Sequence, residues 1–173
     1  MRFTILAAEW NAKLVALAKV MNSKVALPIY STFLLELKDG VLRITASDMD
    51  CSRCSTLPVM DMDRANEHNG SLCVTASFLL DSLKNLGDQP VTFEADEENL
   101  SVVIRYNNGQ FDMVGFPAKD YALPGTMGKS VQVTIEASVL NDSIGKSLYA
   151  VGNDDLRPIF SGIYFTKKGD ELQ

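Results

Sequence analysis

The sequence predicts an α+β fold assembled from repeated βαβββ units, and three observations lead there. First, sliding the 173 residues against themselves by 130 positions aligns 1–43 with 131–173 without a gap. Second, a weaker echo at offset 69 turns "ILAAEWNAKLVAL" into "VTASFLLDSLKNL" within the first copy. Third, each helix-period stretch is followed by alternating apolar and polar segments separated by turn residues, the pattern of paired strands. A fixed internal period comes before any other reading, because it determines how many times one supersecondary unit is used.

The longer repeat pairs "LPIYSTFLLELKDG" (27–40) with "RPIFSGIYFTKKGD" (157–170). Identities include Thr4/Thr134, Ile5/Ile135, Ala7/Ala137, Asn11/Asn141, Pro28/Pro158, Ile29/Ile159, Ser31/Ser161, Lys38/Lys168 and Leu42/Leu172. Apolar positions correspond as well: Phe3/Val133, Trp10/Leu140, Leu14/Ile144, Tyr30/Phe160 and Phe33/Ile163.

Each copy opens with a short strand, a small-residue turn and a helix. The helical stripes are Trp10, Leu14, Leu17 and Met21, then Leu79, Leu83 and Leu86, then Leu140, Ile144 and Leu148. Ser77 and Ser138 stand where an N-cap hydroxyl would take up a free backbone N–H. Strands are expected at 29–37, 41–47 and 50–59, with "KDG" (38–40) as the first turn. In the second half they are expected at 90–95, 100–106 and 110–115, joined by "DEEN" (96–99) and "NNG" (107–109). Two such halves make one domain over 1–116. The Pro- and Gly-containing stretch 117–130, "PAKDYALPGTMGKS", reads as a linker. Residues 131–173 read as the start of a second domain, stopping at the position that matches Arg43, with about two-thirds of that copy absent. A piece of this size cannot close its own core, so its stripe needs covering from outside that copy.

Composition is that of a globular protein, with 46% hydrophobic and 22% charged residues. No apolar run approaches the ~20 residues of a membrane helix, and "MRFTILAAEW" lacks a secretory signal pattern. Three cysteines, an odd number, argue against a disulfide framework and favour a reducing, cytoplasmic setting. The formal charge is −6, but it is unevenly spread. Arg2, Lys13, Lys19 and Lys24 against Glu9 give the first 30 residues +3, leaving −9 for the rest. Such a body repels polyanions except along one segment.

Several chemical motifs fail on spacing. "CSRC" (51–54) has only Cys73 and the sole histidine, His68, to complete a four-ligand metal site, and Cys51 and Cys54 would point to opposite faces of a strand. "GTMGKS" (125–130) has Leu123 where a phosphate-binding loop needs glycine, and a strand pattern follows it. No Ser/His/Asp or Cys/His set can be assembled. His68 sits in a polar turn, and the acids of "EADEEN" form a hairpin tip. No catalytic residue, metal or cofactor is expected.

On helical wheels Lys19, Lys84 and Lys146 fall on the face away from the core. Around Lys19 that face is otherwise small: Ala12, Val15 and Ala16. A solvated face explains any single one of these lysines. Three equivalent helices with the same feature favour a shared anionic partner, although Asp81 and Asp142 dilute the field.

The order "MRFTI…LPIYSTFLLELKDGVLRITASDMD", "VTASFLLDSLKNL", "GFPAKDYALP" and "DDLRPIFSGIYF" resembles the bacterial beta sliding clamp family of DNA polymerase III along the whole chain. The resemblance implies the DNA-clamp fold, each domain two βαβββ halves related by a pseudo-twofold, with helices on one side of antiparallel sheets. It further implies a head-to-tail homodimer ring, when full length, that encircles duplex DNA without sequence specificity. Such a ring tethers the polymerase catalytic subunit and the clamp loader through short peptide motifs. Matching positions make Lys24, and the loop with Asn153, Asp154 and Arg157, DNA contacts. They place Arg157 and Phe160 on the rim of the partner-peptide groove, and Phe78, Phe111 and Met113 at the subunit interface. Where relatives carry a basic residue opening the second helix, this chain has Ser77.

A different-class alternative is a stand-alone interaction module that reuses the same domain to bind peptides without DNA. A third copy downstream of Gln173 would favour the ring, and its absence the module.

Overall fold

A computed structural model describes residues 1–21, 27–48, 51–60, 69–123, 128, 132–152, 156–169 and 171–173. The chain divides into two compact units, Met1–Thr126 and Met127–Gln173.

The first unit runs β1 (Arg2–Leu6), α1 (Ala7–Ala18), a 3₁₀ turn (Pro28–Ser31), β2 (Thr32–Lys38), β3 (Val41–Ser47) and β4 (Ser52–Pro58). It continues with β5 (Gly70–Thr75), α2 (Ala76–Leu83), β6 (Pro90–Ala95), β7 (Ser101–Tyr106), β8 (Gly109–Val114) and the short β9 (Phe116–Pro117). Two antiparallel sheets result, ordered β1-β6-β7-β8 and β4-β3-β2-β5-β9. Each half therefore lends its opening strand to the other half's sheet. Exchanging the halves maps β1 onto β5 and β6-β7-β8 onto β2-β3-β4, which is the topology of a pseudo-twofold.

The far edges obey the same relation. The Met60 N–H, just past β4, donates to the Thr4 carbonyl on β1 at 2.9 Å. Phe116, just past β8, pairs with Cys73 on β5, and Cys73 is Thr4 displaced by the offset of 69.

One apolar cluster holds the unit together. Trp10, Leu14 and Leu17 from α1 and Leu79 and Leu83 from α2 meet the inward positions of both sheets, among them Phe3, Phe33, Leu35, Ile44, Phe93 and Ile104. All are almost fully buried. Alternation along β2 sends Phe33, Leu35 and Leu37 into this cluster and Leu34 to the opposite face. α1 packs beside α2, so both helices lie on one side of the sheets, and the expected α+β arrangement is what the chain adopts.

Local details differ from the sequence reading. The strand expected from 29 begins at Thr32, because Pro28–Ser31 forms a 3₁₀ turn with Pro28 at its start; proline presets the required φ. Ser77 and Ser138 do not cap their helices: the N-cap residues are Thr75 and Glu136, neither with a side-chain cap bond. In the first unit the strands run straight into the helices, and the Ala7 N–H at the start of α1 is taken by the Gln89 carbonyl at 2.9 Å. The domain does not end at 116. Tyr121 is buried with Tyr30, Leu34 and Cys73 on the outer face of the five-stranded sheet, and the Tyr30 hydroxyl donates to the Ala122 carbonyl. The first part of the expected linker is therefore packed structure.

The second unit contains α3 (Ala137–Leu148), a 3₁₀ turn (Pro158–Ser161), β10 (Lys167–Lys168) and β11 (Glu171–Leu172). The offset of 130 carries α1 onto α3, both 12 residues long, and one 3₁₀ turn onto the other. It also carries the Lys38–Val41 pair onto Lys168–Glu171. In the first hairpin Asp39 (φ 51°) and Gly40 (φ 74°) are both left-handed, as a two-residue type I′ turn requires; Gly169 (φ 60°) takes the place of Asp39. Residues 132–136, which match β1, are not a strand. None of the described residues of this unit is buried: Leu140 and Ile144 are half-exposed, and Leu148 is 58% exposed.

Candidate nucleic-acid interface

The helices turn a mixed face outward in which small and basic side chains stand beside Glu9, Phe78 and Asp81. Strand alternation and the 3.6-residue period force this outcome, because the apolar stripe faces the sheets and its opposite must face outward. On α1, Ala8, Ala12, Lys13 and Val15 are exposed, followed by Lys19 at the C-cap. On α2 the outward residues are Ser77, Phe78 and Asp81, with Lys84 at the C-cap. On α3 of the second unit they include Asp142 and Lys146.

The three lysines are not equivalent. Lys19 stands exposed at the end of α1. The Lys84 ammonium donates to the Asp81 carboxylate at 2.8 Å, which cancels its charge toward a distant anion while adding little stability at so exposed a site. Lys146 lies one turn from Asp142 on α3, whose Ser143 and Ser147 hydroxyls turn back to their own helix carbonyls. Arg2, counted in the basic segment, belongs elsewhere. It lies on the outer face of the four-stranded sheet, where Arg2 and Arg105 both pair with Glu94.

A further cation was not visible in the sequence. Arg53 on β4 reaches across to α1, its Nη1 donating to the Ala16 carbonyl at 3.0 Å. That carbonyl is left over because the helix tightens at its end, the Val20 N–H bonding Leu17 rather than Ala16. Only the tertiary pairing of β3 with β4, Ala46 opposite Arg53, brings it there.

The other expected residues fall as follows. Lys24, Asn153 and Asp154 lie outside the described residues, as does His68. The Arg157 guanidinium sits 5.0 Å from the Phe160 ring centroid, a cation–π arrangement. Neither residue lines the apolar groove of the second unit, about 130 Å³, between α3 and residues 163–165 and 172–173. That groove is the open counterpart of the first unit's core: Ile135, Leu140, Ile144, Ile163 and Leu172 match Ile5, Trp10, Leu14, Phe33 and Leu42. Phe111 and Met113 lie on β8, the edge of the four-stranded sheet. They are half-buried against the core, Phe111 stacking on Tyr106 at 5.0 Å, while Phe78 is 39% exposed on α2.

Cys51 and Cys54 are exposed, Cys73 is buried, and all three are free thiols. Burial pushes the Cys73 thiol up to about 12, and burial does the same to the Tyr121 phenol, also to about 12. Both stay neutral at ordinary pH, so they are packing groups rather than nucleophiles. Among the described residues no cluster of three His, Cys, Asp or Glu could hold a metal ion, and no helix is long and apolar enough to cross a membrane.

Comparison with known proteins adds three findings. Residues 1–124 match the family model described as DNA polymerase III beta subunit, N-terminal domain. The beta sliding clamps of Bacillus subtilis and Vibrio cholerae are 25% and 26% identical over 99% and 100% of the chain. The chain spans about half, 46%, of the length of these curated relatives. The fold is shared with the DNA polymerase III subunit beta of Pseudomonas aeruginosa (TM-score 0.87, 23% identity, 98% of this chain and 44% of that one). It is shared too with the Bartonella birtlesii sliding clamp solved bound to griselimycin (TM-score 0.84, 24% identity, 99% and 45%).

Proposed function

The chain belongs to the DNA polymerase III beta-subunit family, and from that premise we propose that it is part of a processivity clamp that encircles duplex DNA. The first unit serves as the first clamp domain and the second as the beginning of the next. The protein is a non-catalytic, cytoplasmic scaffold. In its full-length form it closes as a homodimer ring and holds the polymerase catalytic subunit and clamp loader through short peptide motifs. Its contribution is effective concentration: a polymerase tied to a ring that cannot leave the duplex re-engages the primer end by an intramolecular step.

The observation that carries this reading is the placement of both helices on one side of two antiparallel sheets. The helix positions then recur at a constant offset in the second unit. Repetition of one unit with a constant helical face is the geometry from which a ring with a helix-lined bore is built. Small outward residues and scattered lysines on those helices suit contact with phosphates, and phosphate contacts carry no sequence information. Lys19, Lys84 and Lys146 on the helices, with Lys24, Asn153, Asp154 and Arg157, are the proposed contacts. Phe111 and Met113 on the β8 edge, where unpaired backbone groups are available to another strand, and Phe78 on α2 are the proposed subunit contacts. Arg157 and Phe160 form the proposed peptide rim.

The test is duplex binding by the full-length protein across a salt series, with two unrelated sequences. Equal affinities and a log–log slope of ~0.9 per phosphate neutralised support the reading, with Lys24→Ala lowering the slope and leaving sequence preference unchanged. A strong preference for one base sequence contradicts it.

A further inference from the structure

We propose that Arg53, on the strand β4, is a phosphate-facing residue of the same surface, grouped with Lys19 at the C-terminal end of α1. The inference rests on the clamp reading, and it concerns a residue outside both the helices and the loops considered above.

Three observations carry it. The Arg53 side chain crosses to the helix side of the sheet, where its Nη1 donates to the Ala16 carbonyl at 3.0 Å. It is exposed there, as is Lys19 three residues further along α1. The end of α1 has no basic residue in its last turn, so its free carbonyls would present about half a negative charge to any approaching polyanion.

A phosphate nearing Lys19 would therefore meet opposing fields from the lysine and from the helix terminus. Arg53 removes the opposing one, its guanidinium satisfying the leftover carbonyl with one N–H. A guanidinium has five donors in a planar fork, so the same group can hold the carbonyl and still offer N–H groups to a phosphate oxygen. Of the two acids just upstream, Asp48 accepts the Cys51 N–H at 2.8 Å, and Asp50 lies outside the described residues.

The experiment is duplex binding by the full-length protein carrying Arg53→Gln or Arg53→Lys, read as the salt dependence of affinity, with thermal midpoints recorded in parallel. Arg53→Gln is expected to lower the log–log slope by ~0.9, the loss of one phosphate contact, and Arg53→Lys to restore most of it. An unchanged slope with a lowered midpoint would show Arg53 to be only a helix cap and would overturn the proposal. Absence of duplex binding by the unaltered protein would instead remove the clamp reading, and this inference with it.

Discussion

The rings of Phe3 and Phe93 stack with their centroids 4.9 Å apart, directly across the β1–β6 pairing that ties the first half of the unit to the second. Trp10 closes on both rings edge-on, at 5.5 and 5.8 Å. Three aromatic side chains drawn from both halves thus hold this junction together. Phe93→Ala should cost about 3–5 kcal/mol. Chemical denaturation followed by tryptophan fluorescence should still show one cooperative transition, because neither half has a core of its own.

The first hairpin requires two left-handed residues. Gly40, at φ 74°, should not tolerate a side chain without strain, and Gly40→Val should lower stability by about 1–2 kcal/mol. Asp39→Gly should be neutral or slightly stabilising by comparison. Thermal melts of the two variants check the contrast.

Thiol accessibility should divide the cysteines two to one. Titration of the native protein with an aromatic disulfide should label Cys51 and Cys54, which are exposed, and spare Cys73. All three should react in denaturant. Native labelling of Cys73 would place it elsewhere than in the cluster with Tyr30 and Tyr121.

The same cluster governs alkaline stability. The Cys73 thiol rises from about 9.0 to about 12 and the Tyr121 phenol from 10.0 to about 12, because burial disfavours both anions. In the unfolded chain these groups ionise first, so their contribution to stability is complete below pH 9 and declines as pH rises toward 12. Tyr121→Phe should flatten part of that decline, measurable as urea midpoints between pH 8 and 11.

The lysines should rank by their partners. Lys19→Ala should weaken duplex binding at low salt more than Lys84→Ala, since Lys84 is already held by Asp81 at 2.8 Å. Asp81→Asn, which leaves the lysine and removes the acid, should strengthen binding. Fluorescence anisotropy with a labelled duplex reads all three.

What could be seen in the sequence follows the range of the interactions. The offsets of 130 and 69 exposed the repeated helices and hairpins because periodicity and turn chemistry are local. The exchange of β1 and β5 between sheets was not legible: Phe3 pairs with Phe93 and Phe33 with Val74 through contacts far apart in the chain. The same holds for Tyr121, whose linker-like composition hid a buried ring, and for Arg53, whose role exists only once β4 lies beside α1. Arg2 looked like part of a basic segment until Glu94 and Arg105 were placed around it. Ser77 and Ser138 carry a capping residue type, but each helix starts before them, with Thr75 and Glu136 at the N-cap.

The central claim is topological, and retention on closed DNA tests it most directly. Full-length protein loaded onto a nicked circular duplex should stay bound through gel filtration in salt high enough to abolish phosphate contacts. Linearising the circle should release it. Equal retention on circular and linear DNA, or release from both at the same salt, would contradict an encircling ring.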